Sequence, residues 1–102
     1  GKADNLMGMS ETNTVRQTFS DAVELRNEGK YEAALTKLRI ISEDDIHVYF
    51  QAQYNMALIY TKIGEKEKAI PILEALTQRP ENHFIKAKAK KMKSDLEWFC
   101  FF

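Results

Sequence analysis

Apolar residues recur at helical spacing along most of this chain. Val15, Phe19, Ala22, Val23 and Leu25 mark a first helix, because positions three and four apart share one face of a 3.6-residue turn. Its expected start is near Thr12 to Thr14, where Thr and Asn supply capping oxygens. It runs to about Glu28, and Gly29 stops it, since glycine takes the left-handed conformation that closes a helix. Residues 1–12 are polar, with Gly8 and Ser10 as breakers, and read as an N-terminal arm. A second stripe, Tyr31, Ala34, Leu35, Leu38 and Ile41, predicts a second helix that ends in the acidic turn Ser42-Glu43-Asp44-Asp45.

The third helix, about Ile46 to Ile63, carries apolar residues nearly all round: Tyr49, Phe50, Tyr54, Met56, Ala57, Leu58, Ile59 and Tyr60. Such a helix is packed on more than one side. Gly64 stops it. A fourth helix, about Lys66 to Gln78, presents Ala69, Ile70, Ile72, Leu73 and Leu76, with Pro71 placed to bend or delay its first turn. Arg79-Pro80-Glu81-Asn82 is a break. The fifth helix, His83 to about Phe99, has Ile85, Ala89, Met92, Leu96 and Phe99 on one stripe. No segment alternates with a period of two, so the fold class is all-α.

The two helix pairs repeat one another. AVELRNEGKYEAALTKL aligns with ALIYTKIGEKEKAIPIL, so that Ala22 matches Ala57, Gly29 matches Gly64, Ala34 matches Ala69 and Leu38 matches Leu73, each 35 residues apart. Alanine is small where paired helices approach, glycine makes the short turn, and leucine fills the seam. One pair cannot cover its own apolar face, so pairs must stack. On these residues, with Tyr54-Asn55-Met56-Ala57, Tyr60 and Pro80, the chain resembles the tetratricopeptide-repeat family, whose unit is roughly 34 residues. Repeat one covers about 15–48, repeat two about 50–82, and a solvating cap about 83–99, so that the domain spans 13–99 and 100–102 form a tail. Repeat one departs from the pattern, with Thr18 where Trp is common and Leu25 where Tyr is common. The resemblance implies antiparallel helix pairs stacked in a short right-handed superhelix.

It also implies that the first helix of each pair lines a concave groove for a partner protein or peptide. The matching positions are Arg16, Phe19, Ser20, Val23, Arg26 and Asn27 in repeat one, and Gln51, Tyr54, Asn55, Leu58, Thr61 and Lys62 in repeat two. Asn55 offers a donor and an acceptor to a partner backbone, while Phe19, Tyr54 and Leu58 offer apolar anchors, with packing between repeats as the alternative for Phe19 and Tyr54. Family members that clamp a C-terminal carboxylate carry Lys, Asn and Arg on these faces. Phe19 and Val23 stand at two of those places and only Asn55 fits, which argues against a clamp.

Composition narrows the classes. At 102 residues the chain is one domain. Fifteen basic and fifteen acidic residues give no net charge, so nothing draws the whole chain to nucleic acid or anionic lipid. A local basic patch of Lys86, Lys88, Lys90, Lys91 and Lys93 reads as a solvated face, with a nucleic-acid adaptor as the second alternative; no aromatic platform or glycine loop accompanies it. The single Cys100 forms no internal disulfide and no cysteine metal site. No apolar run reaches the ~20 residues of a membrane span. His47 and His83 lie in no catalytic motif, and Glu43-Asp44-Asp45 lacks the spacing of a calcium loop. The expectation is therefore a protein-binding scaffold or adaptor with no catalytic role, cofactor or metal. The tail Trp98-Phe99-Cys100-Phe101-Phe102 is expected to fold back on the helices, with a self-associating contact, hence a homo-oligomer, as the first alternative and a membrane-surface anchor as another. A start at Gly1-Lys2 without an initiator Met leans toward a bacterial periplasmic or membrane-tethered domain, with a cytoplasmic one otherwise.

Overall fold

A computed structural model describes the backbone of residues 2–99 and the side chains of residues 14–97. The described chain is all-α: α1 (Lys2–Asn27), α2 (Tyr31–Arg39), α3 (Ile46–Lys62), α4 (Lys66–Gln78) and α5 (Ile85–Phe99). It divides into two compact units, residues 1–49 and 50–102, with the boundary inside α3.

In the first unit α2 packs on α1. Ala22 of α1 and Ala34, Leu35 and Leu38 of α2 are buried, and so are Ile41 and Val48. Burying each leucine stabilises the pair by about 1.5–3 kcal/mol. α1 starts at Lys2, ten residues before the Thr12 to Thr14 cap, so the stretch read as an arm is helical. Gly8 and Ser10 explain the difference. Each lowers helix stability by about 1 kcal/mol or less, well under the roughly 3 kcal/mol of an interior proline. α2 stops at Arg39, two residues short of Ile41, yet Ile41 remains buried beyond the helix end.

The turn into α3 is set by Asp45. Its Oδ1 accepts from the Val48 amide at 3.3 Å and its carbonyl accepts from Tyr49 at 2.8 Å, which is the N-cap arrangement. In the second unit Phe50, Ala52, Met56, Ala57, Ile59 and Tyr60 of α3 are buried, as are Ala69, Leu73 and Leu76 of α4 and Ile85, Ala89 and Leu96 of α5. α4 packs on α5. α4 begins at Lys66 as its pattern predicts and runs through Pro71, so the proline neither delays nor ends it. α5 begins at Ile85, two residues after His83.

The two helix turns are the same in detail. Gly29 has φ 82° and Gly64 has φ 83°. After α1, Gly29 N–H bonds Arg26 C=O and Lys30 N–H bonds Leu25 C=O, at 3.0 and 2.8 Å. After α3, Gly64 N–H bonds Thr61 C=O and Glu65 N–H bonds Tyr60 C=O, at 3.2 and 2.8 Å. Both sets are the paired bonds of a Schellman cap. The next helix opens the same way too, with Lys30 C=O accepting from Ala34 and Glu65 C=O accepting from Ala69. Neither Lys30 nor Glu65 makes a side-chain cap bond.

Candidate functional site

The residues expected to meet a partner lie on the first helix of each turn. On α1, Arg16, Ser20 and Asn27 are exposed and Phe19, Val23 and Arg26 are half-buried. On α3, Lys62 is exposed, Gln51, Tyr54, Leu58 and Thr61 are half-buried, and Asn55 is buried. Spacings of three and four residues put each set on one stripe of its helix. The two stripes correspond position by position at the 35-residue offset of the glycines. Phe19 corresponds to Tyr54, Ser20 to Asn55 and Val23 to Leu58, so an aromatic, a polar and an aliphatic residue recur in the same order.

Several polar groups on these stripes are engaged within their own helix. Asn55 Nδ2 donates to the Gln51 carbonyl at 2.7 Å, and Thr61 Oγ1 donates to the Ala57 carbonyl at 2.9 Å. Arg26 donates to Asn27 Oδ1 at 3.1 Å. Asn55, only 9% exposed, thus commits one amide hydrogen to its own backbone. Arg16, Ser20, Asn27 and Lys62 are the side chains that solvent reaches most readily.

The lysines of α5 do not form one block. At about 100° per residue, Lys86, Lys90 and Lys93 fall on one flank and Lys88 and Lys91 on the other, so that together they cover roughly 220° of the helix. Lys86 Nζ donates to the Arg79 carbonyl at 2.6 Å, Lys93 pairs with Glu97 at 3.5 Å, and Lys88 Nζ lies 5.7 Å over the Phe84 ring. Lys90 and Lys91 are exposed.

A cluster at the α4–α5 connection is not visible in any sequence motif. His83 stacks on Phe50 and on Phe84, with 4.6 Å between ring centroids in each pair. Its Nδ1 accepts from the Ile85 amide at 3.1 Å, and its carbonyl accepts from the Lys86 amide at 3.0 Å. The Arg79 guanidinium lies 5.8 Å from the Phe50 ring centre and binds Glu81 through Nε at 2.9 Å and a terminal nitrogen at 3.3 Å. That hydrogen bond holds the Glu81 carboxyl below its usual range. Elsewhere in the second unit, the hydrogen bond to Glu65 holds the Lys68 ammonium above its usual range. Phe84 is 57% exposed. The only hint in the sequence was an aromatic pair, His83-Phe84, just before an apolar stripe; the third ring comes from Phe50, 33 residues earlier.

Among the described residues no three His, Cys, Asp or Glu side chains gather as a metal site, and no helix is long and apolar enough to cross a membrane. The side chains of Trp98 to Phe102, expected to fold back or to self-associate, lie outside the described residues. No protein-family model, curated protein or solved structure matches the chain.

Proposed function

We propose that this chain is a tetratricopeptide-like interaction module that binds a segment of another protein through the stripes on α1 and α3. The observation that carries the reading is the repetition of a whole helix–turn–helix unit. The glycines share one left-handed conformation, the turns share their hydrogen bonds, and Ala22, Ala57, Ala34 and Ala69 are each fully buried at corresponding positions. Repeated hairpins of this kind are units that stack into extended binding surfaces. The aromatic, polar and aliphatic order is the same on the two stripes, which supports a repeated mode of contact. Fold alone does not fix function, so the repetition is tested at the stripes.

The test is site-specific photo-crosslinking. A photoreactive residue is placed at Arg16, Ser20 or Lys62, and as controls at Thr36 or Glu74, all exposed. The proposal expects one partner protein to be joined from the first three sites and not from the controls. Equal joining from both sets, or joining only to a second copy of this chain, would overturn it.

A further inference from the structure

We infer that this chain contacts a second copy of itself, with the segment after α2 of one copy seated on the basic face of α5 of the other. Among the described residues two large apolar side chains stand well out of the packing, Ile40 at 71% exposure and Phe84 at 57%. One such residue alone is ordinary. What distinguishes these two is the charge beside each. From Ile40 to Asp45 the chain holds three carboxylates, Glu43, Asp44 and Asp45, and no base. From Phe84 to Lys91 it holds four lysines and no acid. Each stretch thus joins an exposed apolar side chain to a charge that complements the other, and complementary charge guides association and fixes its register.

Phe84 leads into α5, and Lys88 and Lys91 follow it at the spacing that keeps them on one face of a helix. Both lysines are exposed, and Lys88 Nζ lies 5.7 Å over the Phe84 ring, so ring and ammonium form one surface. On the other side of the contact, Ile40 caps the end of α2, and Glu43 and Asp44 are exposed. Ser42 Oγ bonds both the Asp44 carboxylate and the Asp44 amide, at 3.2 and 3.3 Å, which fixes the turn. Arg39 adjoins Ile40 on the helix side, so the attraction comes from the turn and not from the end of α2. A nucleic acid fits the α5 face less well. A base stacks on an open ring, whereas the Phe84 ring already has His83 stacked on it and Lys88 over it. None of these residues belongs to the α1 and α3 stripes, so the contact is separate from the proposed binding surface.

A contact this small is weak, so the test is sedimentation of the full chain over a wide range of concentration. Salt is set at about 0.01 M and at about 0.15 M, where the screening length falls from roughly 30 to 8 Å. Wild type should gain mass with concentration at low salt and less so at high salt. Two charge-reversed chains are compared with it, Glu43→Lys/Asp44→Lys and Lys88→Glu/Lys91→Glu. All four positions are exposed, so the packing is left alone. Each variant by itself brings like charges together and should associate about tenfold or more weakly. An equimolar mixture of the two restores opposite charges and should regain the lost association. Wild type that stays monomeric overturns the inference, and retardation of a single-stranded oligonucleotide by that monomer would give the α5 face to nucleic acid instead. Association that survives both reversals, or a mixture that regains nothing, places any self-contact elsewhere, for example at the aromatic tail. Should a variant not fold, dilution of wild type followed by amide NMR decides: the shifts must concentrate at residues 40–45 and 84–91, and shifts confined to other residues sink the contact.

Discussion

Gly29 and Gly64 hold the same left-handed backbone conformation, φ 82° and 83°, at equivalent places in two helix turns 35 residues apart. A Cβ at either position meets nothing within 4 Å. The need for glycine is therefore conformational and not steric.

Gly29→Ala and Gly64→Ala should each cost about 1–2 kcal/mol, the penalty of a left-handed residue bearing a Cβ. The two losses should be similar, and asparagine, which tolerates this conformation, should cost less. Urea unfolding measures all four variants. A loss at only one glycine would mean that the turns are not equivalent.

The buried alanines should be intolerant of size. Ala57→Leu and Ala69→Leu should each destabilise by about 1–3 kcal/mol, because a fully buried methyl site cannot take added carbons without displacing its neighbours. Ala75, exposed on α4, is the control, and Ala75→Leu should stay within about 0.5 kcal/mol of wild type. Thermal melts would show the contrast.

Asp45 caps α3 through Val48. Asp45→Ala should cost about 1 kcal/mol, while Asp45→Asn, which keeps an acceptor oxygen, should cost little. Equal losses in the two variants would show that charge at the helix start matters more than the bond.

Glu81 has a carboxyl held low chiefly by the Arg79 hydrogen bond. Its folded value lies below its unfolded one, so its stabilising effect is present above the ordinary glutamate range and disappears as pH falls through the lowered value. A carbon-detected NMR titration of Glu81 should show the depressed midpoint, and Arg79→Ala should raise it. An unchanged midpoint in Arg79→Ala would assign the shift to another cause.

Much of the architecture was legible in the spacing of apolar residues. Gly29, Gly64 and the alanine pairs marked the turns and four fully buried positions, because backbone conformation and residue size leave direct traces in residue type. The start of α1 was not legible, since Gly8 and Ser10 weaken a helix without forbidding it. Nor was the role of Asn55: nothing in its identity tells whether the amide turns outward or bonds the Gln51 carbonyl. The His83 cluster was hidden for another reason. Phe50 and His83 are 33 residues apart, and stacking between such positions arises only from the tertiary fold.

Pro71 lies inside α4 and is exposed. It withholds one helix bond and costs about 3 kcal/mol in local stability. A helix of 13 residues is marginal by itself even without that loss. α4 thus has no means of forming ahead of its surroundings as the chain folds. It must take shape on contact, using α5, against which it packs, as a template. Substitutions in α4 should therefore act mainly on the rate of unfolding and little on the rate of folding.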